Sequence, residues 1–580
     1  MEKYYTDEKN VQIVIALLKE HGIRKVIASP GSTNLTFVRS IQIDPYFEVY
    51  SSADERSAAY MACGLAEETG KPVVISCTGA TASRNYLPGL TEAYYRKLPV
   101  LAITSTRDIS KYGHHEDQVI DRSIIQKDVA KLSVTLPTIK NNNDVWECEI
   151  KANCAILELK RQGGGPVHIN LTTTYNRSYT TCKLPQVNVI NRITDTDAFP
   201  SFPQGKTGIF VGSHKIFTKE QTLAIDNFCA TNNAIVICDH TSGYIGKYKI
   251  LFPLLCSQQN LDKSIFMPDL LIHIGEISGF YSSFTGKAKQ VWRVSEDGEI
   301  RDTFHCLRYV FEMTENKFFE YYTKRDIKGT SNNYFKLWSN KIDELTKKIP
   351  ELPFSNVWIA QQLSKILPKN SVIHFGILNS LSSWNYFKLS DSVISNSNVG
   401  GFGIDGCLSS LVGASLTNIN KLYFGVIGDL AFFYDMNVIG NRHVGKNLRI
   451  LLINNGKGME FKIKNNPGME FGEETDEYIA AARHYGNKSP KLVRHYVTDL
   501  GFEYLSASNK EEFEQIYKKF ITPEITGKSK LFEVFTNDED EKMAPILMSQ
   551  IETSFKGNTK QLAKKILGKE GIKIIKKIIK

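Results

Sequence analysis

One aspartate and two asparagines stand at the ends of two apolar runs in the last third of the chain. The run 422–427 ends in Gly428-Asp429-Leu430, and the run 448–453 ends in Asn454-Asn455. We interpret both runs as buried parallel strands with a helix between them, as in a βαβ unit. Ligands of open α/β sheets bind outside the carboxyl ends of the strands, so we expect these side chains at a ligand site.

Carboxylate and amide oxygens suit a hard divalent cation such as Mg²⁺, which often takes one or two protein groups plus phosphates. Asp429 and Asn455, with a backbone carbonyl near Lys457, would serve as metal ligands. Glycines such as Gly458 would let the backbone approach a diphosphate, and a helix N-terminus would add positive potential. The structural alternative is an ordinary strand–turn–helix in which the aspartate only caps the helix.

The first 185 residues show strand and helix patterns in alternation. Asp54-Glu55-Arg56 opens an Ala-rich stretch with the early acids that are typical of a helix start. Polar turns follow the predicted strands, and the residues of interest in them are Ser29-Pro30-Gly31-Ser32, Thr78-Gly79 and Arg107. Strand, loop and helix in repetition predict a parallel sheet that is covered on both faces.

These motifs together resemble one family of thiamine-diphosphate (ThDP) enzymes. It is the menaquinone-pathway synthase (MenD) family, which joins a 2-oxoglutarate-derived unit to isochorismate. The resemblance implies an α/β fold of three parallel-sheet domains, and the residue pattern after them predicts a basic amphipathic C-terminal tail. The implied bounds are 1–185 for a pyrimidine-binding domain, 186–350 for a central domain, 351–545 for a diphosphate-binding domain and 546–580 for the tail.

The resemblance also implies ThDP and Mg²⁺ as cofactors. Glu55 matches the carboxylate that hydrogen-bonds the aminopyrimidine N1′, although it could also be a first-turn acid that only stabilises its helix. Ile404 matches the apolar wedge that keeps the cofactor bent. The other implied cofactor-binding residues are Ser29, Pro30, Gly31, Thr78, Gly79, Asp405, Gly428, Asp429, Leu430, Asn455, Gly458 and Met459.

Gln118 matches a family glutamine near the thiazolium ring and the substrate. His114 and His115, just before it, resemble a His pair of the pyruvate-decarboxylase branch that assists proton transfers. Histidine titrates near neutral pH and suits such work, but two adjacent histidines in a Gly-containing loop are often only surface polar residues. The family builds its site between two chains, which implies a homodimer or a homotetramer.

The substrate side departs from the family pattern. The family has an arginine where this chain has Thr33, and its other substrate arginines fall near Trp384 and at Val399, while Arg107 is retained and Ser32 precedes Thr33. Guanidinium groups bind carboxylates bidentately, so these changes predict a less cationic pocket. We expect decarboxylation of a 2-oxo acid, after which the acyl-carbanion (enamine) is protonated or attacks a carbonyl acceptor.

Three other interpretations stay open at this point. The chain could be a true menaquinone-pathway synthase with relocated arginines, using 2-oxoglutarate and isochorismate. It could be a non-catalytic ThDP-fold scaffold at a membrane surface, although Glu55, Asp429 and Asn455 together count against that. Flavin-assisted oxidation would use the middle domain, in which no flavin fingerprint is evident.

Composition and charge limit the remaining function classes. The net charge of +9 comes almost entirely from nine lysines against one acid in 556–580, so no nucleic-acid-binding face is predicted. That segment reads as a basic amphipathic helix that would lie on anionic lipid, or as a solvated tail. The sequence shows no signal peptide, no membrane span and ten scattered cysteines, which predicts a cytoplasmic enzyme, with or without contact at the inner face of the membrane.

Overall fold

The structure is a computed structural model that describes residues 4–122, 124–324, 332–463, 466–483 and 489–552. It contains three sheets of six, seven and six strands. Every strand pairing that is described within them is parallel. The predicted fold class is therefore confirmed.

The first sheet has the strand order β2-β1-β3-β4-β6-β5. Its strands are β1 (Lys25–Ala28), β2 (Glu48–Ser51), β3 (Val73–Thr78), β4 (Val100–Thr106), β5 (Ser133–Leu136) and β6 (Val167–Thr172). The surrounding helices are α1 (Lys9–Glu20), α2 (Leu35–Gln42), α3 (Glu55–Thr69), α4 (Thr81–Asn85), α5 (Leu87–Tyr95) and α6 (Asn142–Glu158).

The side chains of the central strands belong alternately to two hydrophobic cores, one on each face of this sheet. In β4, Leu101 and Ile103 belong to the core that also contains α1 and α6 residues, whereas Val100 and Ala102 belong to the core of α3 and α5. Successive side chains of a strand point to opposite faces, so a strand that is covered on both sides is apolar throughout. Functional side chains are left to the turns at the carboxyl ends.

The middle sheet is formed by seven shorter strands. They are β7 (Asn191–Ile193), β8 (Thr207–Val211), β9 (Ala234–Cys238), β10 (Lys249–Leu251), β11 (Leu270–Ile274), β12 (Gln290–Val294) and β13 (Leu307–Phe311). The helices of this stretch are α7 (Lys219–Asn232), α8 (Pro253–Ser257), α9 (Glu315–Thr323) and α10 (Asn333–Lys347).

The third sheet has the order β15-β14-β16-β17-β19-β18. Its strands are β14 (Val372–Phe375), β15 (Ile394–Ser397), β16 (Tyr423–Gly428), β17 (Leu448–Asn454), β18 (Glu503–Ala507) and β19 (Lys530–Phe535). Its helices are α11 (Asn356–Leu363), α12 (Asn379–Trp384), α13 (Cys407–Ser415), α14 (Asp429–Asp435), α15 (Leu492–Asp499), α16 (Lys510–Phe520) and α17 (Asp538–Ser549). The strands β16 and β17 confirm the two apolar runs from which the metal site is predicted.

The described residues form two compact units. The first contains the residues up to Phe199 together with Val291–Glu312, and the second contains Pro200–Gln290 and the residues from Met313 onward. The first sheet lies in the first unit and the third sheet in the second. The four domain bounds stay predictions, and the tail from 553 to 580 lies outside the described residues.

Across the part of the chain that the structure describes, no helix combines the length and the apolar character that crossing a membrane requires.

Candidate active site

The carboxyl ends of β16 and β17 bring the predicted metal residues together. The two strands pair in parallel with Gly428 opposite Ile453, so Asp429 and Asn454-Asn455 emerge at the same edge. Asp429 is almost fully buried, and its Oδ2 accepts a hydrogen bond of 2.7 Å from the backbone N–H of Gly456. Its Oδ1 accepts one of 2.8 Å from the N–H of Leu430. These bonds tie the turn after β16 to the loop after β17.

The two adjacent asparagines have different environments. Asn454 is buried, and its Nδ2 donates to Glu533 Oε1 at 2.8 Å. Burial raises the pKa of Glu533, which also accepts a hydrogen bond of 2.8 Å from the Tyr504 hydroxyl. Both asparagines line a cavity of about 830 Å³, but Asn455 is only half-buried, and its Oδ1 accepts a long hydrogen bond of 3.5 Å from the Lys457 N–H. Asn454 therefore has a structural partner, and Asn455 is the one placed for a ligand.

The side chain of Lys457 is held by two carboxylates. Its Nζ lies 2.6 Å from Asp476 Oδ2 and 2.6 Å from Asp538 Oδ2. Burial works against the ammonium charge, but these carboxylates outweigh it and raise the pKa of Lys457. Only the backbone carbonyl of Lys457 is left for a metal, and its role as a ligand stays a prediction. The next residues are also fixed, because Gly458 N–H donates to the Ala480 carbonyl at 2.6 Å and Met459 is buried.

This donor set fits Mg²⁺ that is shared with a diphosphate. Asp429 supplies a carboxylate that the N–H groups of Leu430 and Gly456 hold in place, and Asn455 supplies an amide oxygen. In the described ranges, no group of three or more His, Cys, Asp or Glu side chains could hold a metal alone. Two side-chain oxygens and a carbonyl are the partial shell that Mg²⁺ completes with phosphate and water.

Two turns of the first unit contain a glycine at which any side chain would clash with its neighbours. A Cβ on Gly31 would lie 2.8 Å from Thr78 Cβ, and one on Gly79 would lie 2.4 Å from the Ser105 carbonyl oxygen. The turns after β1 and β3 are thereby packed against each other at the carboxyl edge of the sheet. Ser29, Pro30 and Gly31 also line a cavity of about 400 Å³. The predicted cofactor turns of this unit therefore lie side by side.

Glu55 is the first residue of α3 and is half-buried. The cap of this helix is Asp54, whose carboxylate accepts the Arg56 N–H at 3.0 Å and the Ser57 hydroxyl at 2.9 Å. Glu55 is therefore not needed as the cap. Burial raises the pKa of the Cys77 thiol to about 12, and the charge of Glu55 adds to this effect. The Glu55 carboxylate therefore has an electrostatic effect on a buried group near the end of β3.

The loop from Arg107 to Gln118 places the predicted catalytic side chains at the surface. His114, His115 and Gln118 are exposed, and the backbones of His115 and Gln118 have φ angles of 56° and 58°. Left-handed backbone at non-glycine residues is uncommon and occurs often at functional sites. Arg107 forms a two-point contact with Asp117, with both N–O distances 3.2 Å.

Comparison with known proteins identifies the family. The model of the thiamine pyrophosphate enzyme N-terminal TPP-binding domain matches residues 9–125. A protein of Bacteroides fragilis named 2-succinyl-5-enolpyruvyl-6-hydroxy-3-cyclohexene-1-carboxylate synthase is 30% identical over 567 residues, which cover 92% of this chain and 97% of the relative. The chain belongs to this synthase family. It is a ThDP enzyme, as its motifs predict.

Other members of the synthase family give the same result. The Bacteroides thetaiotaomicron synthase of the same name is 31% identical over 561 residues, covering 92% of this chain and 97% of the relative. The synthase of Desulfotalea psychrophila is 27% identical over 498 residues, covering 82% and 90%. The similarity therefore spans the full length of these relatives rather than a single domain.

Three predicted substrate positions of this synthase-family chain are buried. The Thr33 hydroxyl donates to the Ser105 carbonyl at 3.0 Å and also contacts the Thr78 hydroxyl. Trp384 is fully buried with its ring centroid 5.4 Å from that of Phe375, and Val399 is 2% exposed. These placements favour packing roles over substrate contact for all three residues. The preceding Ser32 is exposed.

The loop after β15 carries the predicted wedge. Ile404 is half-buried and packs against the core of the third sheet, and Asp405 next to it is exposed. The Asn398 side chain fixes the loop by donating to the Gly406 carbonyl at 3.1 Å and to the Ser410 hydroxyl at 2.9 Å. An apolar side chain held in a fixed loop is compatible with the wedge role, which stays a prediction.

Sequence reasoning missed the residues that position the metal ligands. Glu533 holds Asn454, and Asp538 holds Lys457. A signal existed for Glu533, because it interrupts an otherwise apolar strand, Leu531-Phe532-Glu533-Val534. No local pattern marks Asp538, which is one of several acids in the first turn of α17.

Proposed function

We propose that this enzyme uses ThDP and Mg²⁺ to release CO₂ from a 2-oxo acid. The remaining acyl unit either takes a proton, R–CO–COO⁻ + H⁺ → R–CHO + CO₂, or joins a carbonyl acceptor, R–CO–COO⁻ + R′–CHO + H⁺ → R–CO–CH(OH)–R′ + CO₂. The observation that carries the proposal is the pair of oxygen donors, Asp429 and Asn455, at the ends of two adjacent parallel strands.

The bound ThDP would supply the electron sink that stabilises the carbanion formed on loss of CO₂. Asp429, Asn455 and the Lys457 carbonyl would hold Mg²⁺, with Gly428, Leu430, Gly458 and Met459 around the diphosphate. Glu55 would hold and release a proton at the aminopyrimidine N1′, and Ile404 would support the bent cofactor. Gln118, His114 and His115 would manage protons near the reacting carbon.

The substrate is proposed from the polarity of the predicted substrate positions. Thr33, Trp384 and Val399 carry no charge and are buried. A binding site without these guanidinium groups favours a 2-oxo acid with a single carboxylate, such as pyruvate, over a substrate pair with several carboxylates. Arg107 is the family substrate arginine that remains. The partners would be a small 2-oxo acid and a carbonyl acceptor.

The second candidate is the reaction for which the relatives are named. It is favoured by 30% identity over 97% of the Bacteroides fragilis synthase. One assay separates the two: CO₂ release from pyruvate and from 2-oxoglutarate, each with an aldehyde, with isochorismate and without acceptor. Turnover of pyruvate alone or with aldehyde supports the first candidate. Turnover that requires both 2-oxoglutarate and isochorismate supports the second, and no turnover with any 2-oxo acid contradicts both.

The assembly and location are also proposed. A homodimer or homotetramer in the cytoplasm would follow the family pattern, and light scattering during gel filtration measures the mass directly. The tail 556–580 would contact anionic membrane through its lysines. Removal of that segment should abolish binding to anionic vesicles, and unchanged binding would contradict the membrane contact.

A further inference from the structure

Arg122 is a buried cation whose donors are only partly satisfied. The residue is 5% exposed, and its Nη2 donates to the side-chain oxygen of Asn170. Its Nε and Nη1 find no hydrogen-bond partner among the described residues. The Tyr112 hydroxyl lies beside the guanidinium, but no ion pair between Arg122 and a carboxylate occurs in the described ranges. Burial lowers the pKa of Arg122, which shows how unfavourable its charge is at this place.

A second buried arginine has acceptors for both of its terminal nitrogens, although its Nε also has no partner among the described residues. Arg449 is also buried without an ion pair in the described part of the chain. Its Nη1 donates to the carbonyls of Lys446 and Leu448, and its Nη2 donates to the Glu524 carbonyl at 3.2 Å. A guanidinium can therefore be buried in this protein when main-chain oxygens surround it. Arg122 lacks such a set of acceptors.

Arg122 lines a small cavity together with a second arginine. The cavity has a volume of about 20 Å³, which is room for one water or one small ion. Arg84 is the second arginine, and no acid is among the lining residues. His168, which also lines it, adds no negative charge and is satisfied by the hydroxyls of Thr104 at 2.7 Å and Ser133 at 2.8 Å. Two cations thus face one space that contains no counter-charge.

The energetics favour an anion in this space. An uncompensated buried charge such as that of Arg122 is unfavourable, and Arg84, which is exposed and donates to the Asp121 carbonyl at 3.0 Å, adds a weaker repulsion. Burial is the main cause that lowers the pKa of Arg122, Tyr112 and Cys77 oppose this shift, and the charge of Arg84 adds a smaller lowering effect. A single monoanion would satisfy the orphaned donors and offset both penalties. The volume admits one small ion or one carboxylate group, with the rest of a larger anion outside the cavity.

The position of Arg122 connects the cavity with the functional edge of the sheet. A Cβ on Gly79 would lie 2.8 Å from Arg122 Nη2, and the partner Asn170 is on β6. The guanidinium therefore lies beneath the turn after β3, near the carboxyl ends of β3, β4 and β6. The charge of Arg122 lowers the pKa of the nearby Cys77 thiol, and the charge of Glu55 raises it. An anion bound here would lie next to the predicted cofactor turn.

We propose that Arg122, with Arg84, forms a buried site for one small monoanion. Two sources share this chemistry: the carboxylate of the 2-oxo acid substrate, and a free inorganic anion such as chloride. Only the first source rests on the proposed function. In that case Arg122 is the specificity-determining cation that replaces the missing family arginines.

The site is tested with the full chain by thermal unfolding at constant ionic strength. Chloride, acetate and pyruvate are titrated separately against wild type, Arg122→Met, Arg122→Lys and the control Arg24→Met. Arg24 is an exposed arginine of the same unit that faces Glu48. We expect a saturable rise in the midpoint of about 1–3 °C for wild type and Arg24→Met, absent in Arg122→Met. Equal shifts in wild type and Arg122→Met for all three anions would overturn the site.

The substrate carboxylate and a free inorganic anion differ in which anions stabilise the wild-type protein and in the KM of Arg122→Met. If chloride stabilises wild type as well as pyruvate does, and the KM for pyruvate is unchanged in Arg122→Met, the ligand is the inorganic ion. If pyruvate and acetate stabilise but chloride does not, the KM for pyruvate should rise at least tenfold in Arg122→Met at unchanged ThDP affinity, which identifies the substrate carboxylate. Absence of CO₂ release from every 2-oxo acid by wild type would refute the proposed function while the anion shift still supports the site.

A crystallographic measurement keeps the test decisive if Arg122→Met does not fold. Crystals of the wild-type protein are soaked in bromide, and anomalous scattering locates the ion. A peak within hydrogen-bond distance of Arg122 Nη1 or Nε supports the site. The site is overturned if the bromide peak is absent and crystals soaked in pyruvate show no carboxylate within hydrogen-bond distance of Arg122.

Discussion

Arg107 holds the carboxylate of Asp117 in a two-point contact, with Nη1–Oδ1 and Nη2–Oδ2 both at 3.2 Å. Arg107 is also 3.6 Å from Glu116 and lies over the Tyr175 ring. The Tyr175 hydroxyl and Asp117 raise the pKa of Arg107. The guanidinium that the resemblance assigns to a substrate carboxylate is thus occupied by a carboxylate of its own loop. A substrate must displace Asp117 before it can use this arginine.

The first prediction follows from that competition. Asp117→Asn should lower the KM for a 2-oxo acid up to about fivefold, because an exposed ion pair of this kind is worth at most about 1 kcal/mol. The measurement is CO₂ release at varied pyruvate concentration. Asp128→Asn is the matched control, because Asp128 accepts from the Tyr95 hydroxyl and not from Arg107. An unchanged KM in Asp117→Asn, with ThDP affinity intact, would show that Arg107 does not receive the substrate.

The second prediction concerns Glu55. Glu55→Gln should reduce turnover at least about 100-fold, because an amide cannot hold and release the proton at the aminopyrimidine. Stability should change little, since Asp54 provides the helix cap. Circular dichroism and CO₂ release measure the two effects. Glu67→Gln, on the same helix and paired with Arg96, is expected to keep full activity. Near-normal turnover of Glu55→Gln would remove this residue from the mechanism.

Much of the architecture was predictable because it depends on local patterns. The strands β16 and β17 are uninterrupted apolar runs that end at polar residues, and α3 begins where acids precede an Ala-rich stretch. Parallel strands that follow one another through a helix end at the same edge of the sheet. The grouping of Asp429 with Asn455 follows from these two facts alone.

The rest depends on tertiary contacts that no local pattern contains. The sequence does not distinguish Asn454 from Asn455, because the inward direction of the first is set by Glu533 in a strand far along the chain. The resemblance places Thr33 and Trp384 at predicted substrate positions, but both side chains are buried in the core. The contact of Arg107 with Asp117 depends on a loop conformation with left-handed residues, which propensity does not predict.

The third prediction separates the two asparagines. Asn455→Ala should weaken Mg²⁺-dependent ThDP binding at least about tenfold with little loss of stability, because it removes a metal ligand from a half-buried loop. Asn454→Ala should instead destabilise the fold by about 1–3 kcal/mol, because it leaves a buried Glu533 oxygen without its donor. Calorimetry with ThDP and Mg²⁺ and urea unfolding measure the two properties. A loss of stability in Asn455→Ala without loss of binding would contradict the assignment.

The fourth prediction is a pH dependence of stability. Burial raises the pKa of Glu460 to about 7, and burial also raises the pKa of Glu541 to about 7 although Thr536 and the Asn356 N–H oppose this. In the unfolded chain both return to the ordinary value of 4.5. Between pH 4.5 and about pH 7, the two carboxyl groups are protonated in the folded protein and ionised in the unfolded chain. The free energy of unfolding therefore falls as the pH rises through this range. The contribution is complete below about pH 4.5 and is lost as the pH passes about 7.

Urea unfolding without Mg²⁺ at a series of pH values checks this. Each of Glu460→Gln and Glu541→Gln should reduce the fall in unfolding free energy between about pH 5 and 8, by roughly 1–3 kcal/mol, because a neutral amide does not titrate. Glu473→Gln serves as the control, since Glu473 is exposed and should leave the profile unchanged. If both variants retain the wild-type slope, these two carboxyl groups do not hold the extra protons in the folded protein.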